Sequence, residues 1–319
     1  MPTLPQLSVV DAQGAIDRRE ISCLEYVQAL VDQQAKTESL NGFVYFNPEA
    51  LLQGARAHDE ALEARTGRLS LAGIPLAIKD NIDCAGMPTA AGTAALRHAV
   101  PRANAPVVAR VIEAGALAAG KANMHELAFG CTNDNGFFGP ARNPYDPSRI
   151  PGGSSGGSAV LVASGAVPAA LGTDTGGSVR IPAALCGLVG FRPTHGRYPS
   201  GGVVPISPTR DTVGPIARTV SDVMLLDEIL SGSGSALPVV DGARDFRLAV
   251  PYSTMWEGLS PDAGPVLERA LQKLEDAGFE LVDVDLRRYP FFRAQKSATI
   301  PFSSLPALCP ATWKQRAWP

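Results

Sequence analysis

A chain of 319 residues, 45% apolar and 18% charged, carries enough apolar material to bury one large core or two modest ones, the composition of a globular enzyme. Its formal net charge of −3, with basic residues scattered, excludes the clustered positive surface that nucleic acid or anionic lipid requires, so neither is expected as a partner. The opening MPTLPQLSVV lacks a basic stretch leading into an apolar run, and no run of about eighteen apolar residues occurs, which predicts a cytoplasmic chain with no membrane span.

The elements follow in chain order. Ser22 to Glu25 forms a capping-box pattern opening a helix to about Ala35, and a second helical pattern runs over 48–64. Residues 1–70 thus read as a mostly helical N-terminal segment packing on a core. From Leu71 the texture becomes βαβ: LAGIPLAIK as a strand, a helix over 105–114, and LAAGK as a strand ending at Lys121. A Gly/Ser-rich turn over 152–157 leads to a helix ending at Ala163. An apolar stretch over 166–171, a second glycine turn at Gly176 and the strand-like LVGF come next. Thr219 and Asp222 cap a helix ending near Gly232, and 235–242 reads as a surface loop. A last βαβ-like unit comprises FRLAV, a helix capped by Ser260 and Pro261 and stopped at Gly278, and FELVDVDL. The pattern predicts an α/β protein whose sheet lies between layers of helices. Five cysteines, widely spaced and without CxxC pairs, predict free thiols rather than a disulfide framework or a zinc site.

The segment Gly152-Gly-Ser-Ser-Gly-Gly-Ser158 allows positive φ and close approach of backbone N–H groups to an anion. No lysine follows as in a P-loop, and no strand precedes as in a dinucleotide fingerprint. The pattern around Ser154 formally matches a nucleophile elbow, with Asp174 and His195 in the required order. However, two prolines and charges stand where the elbow needs a buried strand. His58 and His98 read as surface, and His125 and His195 as structural imidazoles that could line a cleft. The second glycine turn, Gly172-Thr-Asp-Thr-Gly-Gly-Ser178, runs into SVRIPAALC, which places Ser178 at a helix start. There the N–H groups of 175–178 could form an oxyanion hole, or Ser178 could simply cap the helix. Lys79 ends the apolar strand GIPLAIK, where desolvation would pull its pKa toward neutrality and make it a base.

Together, GIPLAIKDNI, GKANMHELAFG, FGPARNPYDPSRIPGGSSGGSA and LGTDTGGSVRIPAALCGLVGFRPT resemble the amidase signature family over about 73–230. The resemblance implies a mixed sheet between helix layers, no metal and no cofactor, and a Ser-cisSer-Lys triad of base Lys79, bridging Ser154 and nucleophile Ser178. It implies an oxyanion hole of the N–H groups of Thr175, Gly176, Gly177 and Ser178. It also implies that Asp174 and Arg180 brace the glycine turn, and that Ala128, Phe129 and Cys131 line the acyl pocket. The texture is similar to the family's arylacetamide hydrolases, such as indoleacetamide and mandelamide hydrolases. The expected activity is therefore hydrolysis of a small aryl-substituted primary amide to acid and ammonia, with that amide as the partner and a homodimer left open. The alternatives are the amidase subunit of glutamyl-tRNA(Gln) amidotransferase and an inactive truncated homologue.

Residues 71–286 read as the amidase core, incomplete at its C-terminal end, because the last stretch has a different character. Residues 287–319 hold none of the chain's 31 acidic residues and none of its 32 glycines, yet two of its three tryptophans. They are expected to be an aberrant, frameshifted tail in place of further fold.

Overall fold

Caps written into the sequence set where several helices begin in the computed structural model, which describes residues 3–64, 69–233, 246–252, 256 and 259–286. Helix α1, Val9–Asp17, starts at Ser8, whose hydroxyl accepts the Asp11 N–H at 3.0 Å. Helix α2, Cys23–Thr37, carries the expected capping box. Ser22 Oγ accepts the Glu25 N–H at 3.0 Å, and Glu25 Oε2 accepts the Ser22 N–H at 2.8 Å. Helix α3 spans Pro48–Ala64. One strand, β1 at Phe43–Phe46, interrupts this region that was expected to be mostly helical, because its aromatic residues pair with the edge of the central sheet.

That sheet has six strands in the order β1-β3-β2-β4-β6-β5. The other five are β2 Pro75–Lys79, β3 Leu117–Ala122, β4 Ala169–Asp174, β5 Val189–Gly190 and β6 Thr212–Ala217. Strand β2 runs parallel to both β3 and β4, whereas β1, β6 and β5 pair antiparallel, so the sheet is mixed. β2, β4 and β6 are buried at every position, as expected for central strands covered on both faces. Helix α4, Pro106–Glu113, links β2 to β3, and α5, Gly156–Ala163, links β3 to β4 and packs on β2, β3, β4 and β6. Helix α6, Arg180–Leu185, packs on β5, and α7, Val220–Ser231, on β5 and β6. α7 opens on the Thr219/Asp222 box and ends at Gly232 with φ 64°, a left-handed cap that glycine adopts without strain.

One hydrophobic cluster joins α1 and α2 to the sheet, from Val9 and Tyr26 through Ile78 and Leu171 to Leu226. Contacts group the chain into two units, Met1–Leu237 and Pro238–Pro319. Within the second, β7 Arg247–Val250 and β8 Glu280–Asp283 pair in parallel around α8, Ala263–Asp276. This is the expected βαβ unit, but α8 starts after Asp262. Ser260 and Pro261 instead form a turn closed by Ala263 N–H donating to Ser260 O at 3.0 Å. The expected loop over 235–242 and the expected aberrant tail over 287–319 lie outside the described residues. Among the described residues, no helix is long and apolar enough to cross a membrane.

Candidate active site

Strand β2 delivers Lys79 into the interior, where its side chain is completely buried. Its Nζ lies 2.7 Å from Ser154 Oγ and 2.8 Å from Thr173 Oγ1, and Asn81 Nδ2 donates to the same Thr173 hydroxyl at 3.1 Å. Burial pulls the Lys79 pKa down from 10.5 to about 7, against the opposing pull of Asp174 and Asp211. An amine so placed is substantially neutral near pH 7 and has a lone pair to offer the hydroxyl beside it.

Ser154 is also fully buried, and the peptide bond before it is cis. Three contacts hold its turn. Its carbonyl accepts the His125 N–H at 3.1 Å, the Ser155 N–H donates to Ser178 O at 3.2 Å, and Asn133 Oδ1 accepts the Gly156 N–H at 2.9 Å. The Ser155 hydroxyl faces the backbone of Thr173 instead, donating to its carbonyl at 3.2 Å. The two serines of the pair are therefore separated by geometry: Ser154 meets the lysine and Ser155 the strand.

Ser178 follows the glycine turn at the end of β4 and is half-buried. The cap position of α6 belongs to Val179, whose side chain makes no cap bond, so capping that helix is not the work of Ser178. Asp174 braces the turn. It accepts the N–H of Gly177 at 2.7 Å and of Val179 at 3.3 Å, and it pairs with Arg180 Nε at 3.0 Å and Arg192 Nε at 3.3 Å. Burial alone would raise this carboxyl, but the bonds from Arg180 and Gly177 outweigh it and hold the pKa below the usual range. Of the four N–H groups expected to face an oxyanion, those of Thr175, Gly176, Gly177 and Ser178, the structure turns that of Gly177 onto Asp174.

The loop after β3 closes on the same place. A Cβ added at Gly153 would stand 3.2 Å from both the Cys131 carbonyl carbon and the Thr132 nitrogen, so this loop lies against the backbone that precedes Ser154. Leu127, Ala128 and Asn133 hold positive φ of 50°, 58° and 60°, and so does Ala91 at 50°, whose carbonyl accepts the Leu127 N–H. Left-handed backbone at such residues costs on the order of 1 kcal/mol each, and strain of this kind concentrates at functional sites. Of the three residues expected to line an acyl pocket, Phe129 and Cys131 are exposed, whereas Ala128 is buried. The rival elbow does not assemble. Asp174 is committed to the arginines, and the exposed His195 faces Pro208 O at 3.1 Å. His125 is half-buried beside Thr132 Oγ1 at 3.3 Å, and burial lowers its pKa.

Several members of this constellation escape a reading of the sequence. Thr173, Asn81, Asn133 and Asp211 are short polar residues in loops or at strand ends, and only their tertiary partners distinguish them from turn formers. Lys121 is a second completely buried lysine, on the other side of β2 from Lys79. Its Nζ donates to Ile82 O at 2.7 Å, Thr89 Oγ1 at 2.9 Å and Pro88 O at 3.2 Å, and lies 3.9 Å from Asp80. It pins the segment that leaves Lys79.

A family model described as Amidase matches residues 25–305. The chain is 46% identical over 288 residues to a mandelamide hydrolase of Pseudomonas putida, covering 88% of this chain and 56% of that protein. It is 42% identical over 279 residues to an indoleacetamide hydrolase of Rhizobium radiobacter, covering 88% and 59%. A solved structure described as an amidase superimposes with a TM-score of 0.83 at 34% identity, over 97% of this chain and 72% of that one. The chain thus spans a little over half the length of each of these two hydrolases.

Proposed function

The chain belongs to the amidase family, and from that premise we propose that it hydrolyses a small aryl-substituted primary amide to the carboxylic acid and ammonia through an acyl-enzyme on Ser178. The observation that carries the chemistry is the buried contact of 2.7 Å between Lys79 Nζ and Ser154 Oγ, with the lysine pulled to about 7. In the proposed reaction neutral Lys79 takes the proton of Ser154, and Ser154 takes that of Ser178 as its Oγ attacks the amide carbonyl. The same protons return along the relay to the departing nitrogen, which leaves as ammonia. Water, deprotonated by the same relay, then releases the acid. The N–H groups of Thr175, Gly176 and Ser178 stabilise the oxyanion, and loss of one such donor in other hydrolases costs roughly a hundredfold in rate.

The substrate class rests on the similarity to the mandelamide and indoleacetamide hydrolases, together with Phe129 and Cys131 on the loop beside Ser154 as the proposed acyl-side surface. The test is ammonia release by the purified chain from mandelamide, indole-3-acetamide, aliphatic amides and glutamine, without ATP or a second protein. Release from the aryl amides is expected. Release from glutamine alone would overturn the substrate assignment. A folded chain inert toward every amide and toward a fluorophosphonate would overturn the hydrolase assignment itself.

A further inference from the structure

Asp211 stands immediately before β6, and the antiparallel register that pairs Asp174 with Thr212 sets it beside Thr175. Its Oδ1 accepts the Thr175 hydroxyl at 2.5 Å, while its Oδ2 accepts the N–H groups of Ile206 at 2.7 Å and Ser207 at 2.8 Å. One carboxylate therefore joins two loops: the turn that carries Ser178 and the segment over 203–211. That segment is itself fixed to the exit of β2, because Val204 N–H donates to Asn81 O at 2.9 Å and Ile82 bridges Val203. Asp211 thus ties the end of the strand carrying Lys79 to the turn carrying the nucleophile.

We infer that Asp211 is a positioning residue for the reaction: its bonds to Thr175 and to the N–H groups of Ile206 and Ser207 fix the nucleophile turn against the exit of β2, and its charge acts on Lys79 from that place. The inference rests on the proposed role of Lys79 as base. Three titratable groups act on Lys79: Asp174 at the end of β4 and Asp211 before β6 favour the ammonium form, and His125, after β3, interacts with it electrostatically as well. Asp80 and Lys121 pair with each other on the other side of β2. Asp174 already has two guanidinium partners, Arg180 and Arg192. The bonds that Asp211 accepts, by contrast, come from a hydroxyl and two N–H groups, and none of these cancels its charge. Among the described residues, no cation is bonded to Asp211, so its field at Lys79 is not offset as that of Asp174 is.

The two halves of the inference are separated by two variants of the full chain. Asp211→Asn removes the charge and preserves the shape and an oxygen acceptor. Thr175→Val removes the hydroxyl and leaves the charge. The measurement is the rate at which a fluorophosphonate labels Ser178 as a function of pH. Wild type is expected to lose reactivity toward acid with a midpoint near the Lys79 pKa of about 7. In Asp211→Asn that acid limb moves to lower pH, since removal of a neighbouring negative charge makes the ammonium easier to deprotonate. In Thr175→Val the limb stays in place and labelling slows roughly tenfold at every pH. Should Asp211→Asn not fold, Asp211→Ser removes the same charge, leaves a hydroxyl near the N–H groups of 206 and 207, and is read in the same way. A limb that is present in wild type and unmoved in the folded charge-deleted variant would overturn the role of Asp211 alone. A wild-type profile without an acid limb would overturn the assignment of Lys79 as base, and this inference with it.

Discussion

Holding a lysine at the bottom of a dry site costs folding free energy, and that cost makes the role of Lys79 measurable. A fall from 10.5 to about 7 corresponds to a penalty on the order of 5 kcal/mol. The unfolded chain keeps this proton between those two values and the folded chain does not. Stability therefore rises with pH across that window, and the penalty is fully present below about 7. Lys79→Met gives up the contacts to Ser154 and Thr173, worth about 1 kcal/mol each, and escapes the larger penalty. The variant is expected to melt several degrees higher than wild type near pH 7, with the gain shrinking toward pH 10.5, while turnover falls by several orders of magnitude. A melting point that drops at neutral pH would show that the lysine is a net stabiliser and not a strained base. Ser178→Ala should abolish fluorophosphonate labelling altogether, and labelling at the wild-type rate would remove Ser178 as nucleophile. Lys79 and Ser154, which the structure brings into contact, could be singled out in the sequence because each sits in a dense motif of glycines, serines or apolar residues. Asp211 and Thr173 could not, because their partners are 36 and 94 residues away.

At the scale of elements, α5 explains how Ser154 comes so close to the strands that surround it. The second residue of this helix, Gly157, lies on the backbone of its neighbours. An added Cβ would meet Asn123 O at 2.3 Å, Asn123 N at 2.5 Å and Gly42 O at 2.6 Å, all main-chain atoms that cannot rotate away. Gly157→Ala is therefore expected to destabilise the fold by about 3 kcal/mol and to slow turnover, because α5 must retreat and carry the Ser154 turn with it. Chemical denaturation checks the first effect, and a labelling rate unchanged in the folded fraction would refute the second. Helices with a written cap, α2 and α7, could be placed from the sequence almost to the residue, as could strand β3 and the end of β2 at Lys79, although β2 begins at Pro75 and not at Leu71. Three elements could not. Strand β6 contains Gly214-Pro215, a breaker by local rules, yet it pairs with β4 on one side and β5 on the other. Strand β1 has only four residues, and its pairing with β3 joins Phe43 to Ala122 and Phe46 to Gly120, far along the chain. Helix α1 has Gly14 in its interior, which weakens a helical pattern that tertiary packing restores.

At the scale of the molecule, Arg218 fastens the N-terminal arm to the core. Its guanidinium is largely buried and donates to Val162 O at 2.8 Å, Leu7 O at 2.6 Å and Val167 O at 3.2 Å, while Asp222 accepts the Val10 N–H at 3.0 Å nearby. Arg218→Met removes the donors and strands three carbonyls, with an expected loss of about 3 kcal/mol. Hydrogen exchange should then rise first in α1 and at the C-terminal end of α5, and uniform exchange across the unit would argue against a local fastening. The long separations that assemble the site also bear on how reactivity arises in time. Ser154 and Thr173 reach Lys79 across 75 and 94 residues, so loop closures of that length must precede the first proton transfer. On dilution from denaturant, helices with strong local caps should recover their far-ultraviolet signal before Ser178 accepts a fluorophosphonate. The covalent label then acts as a stopwatch for completion of the sheet, and a pulse of probe at successive delays would count the molecules that have finished it.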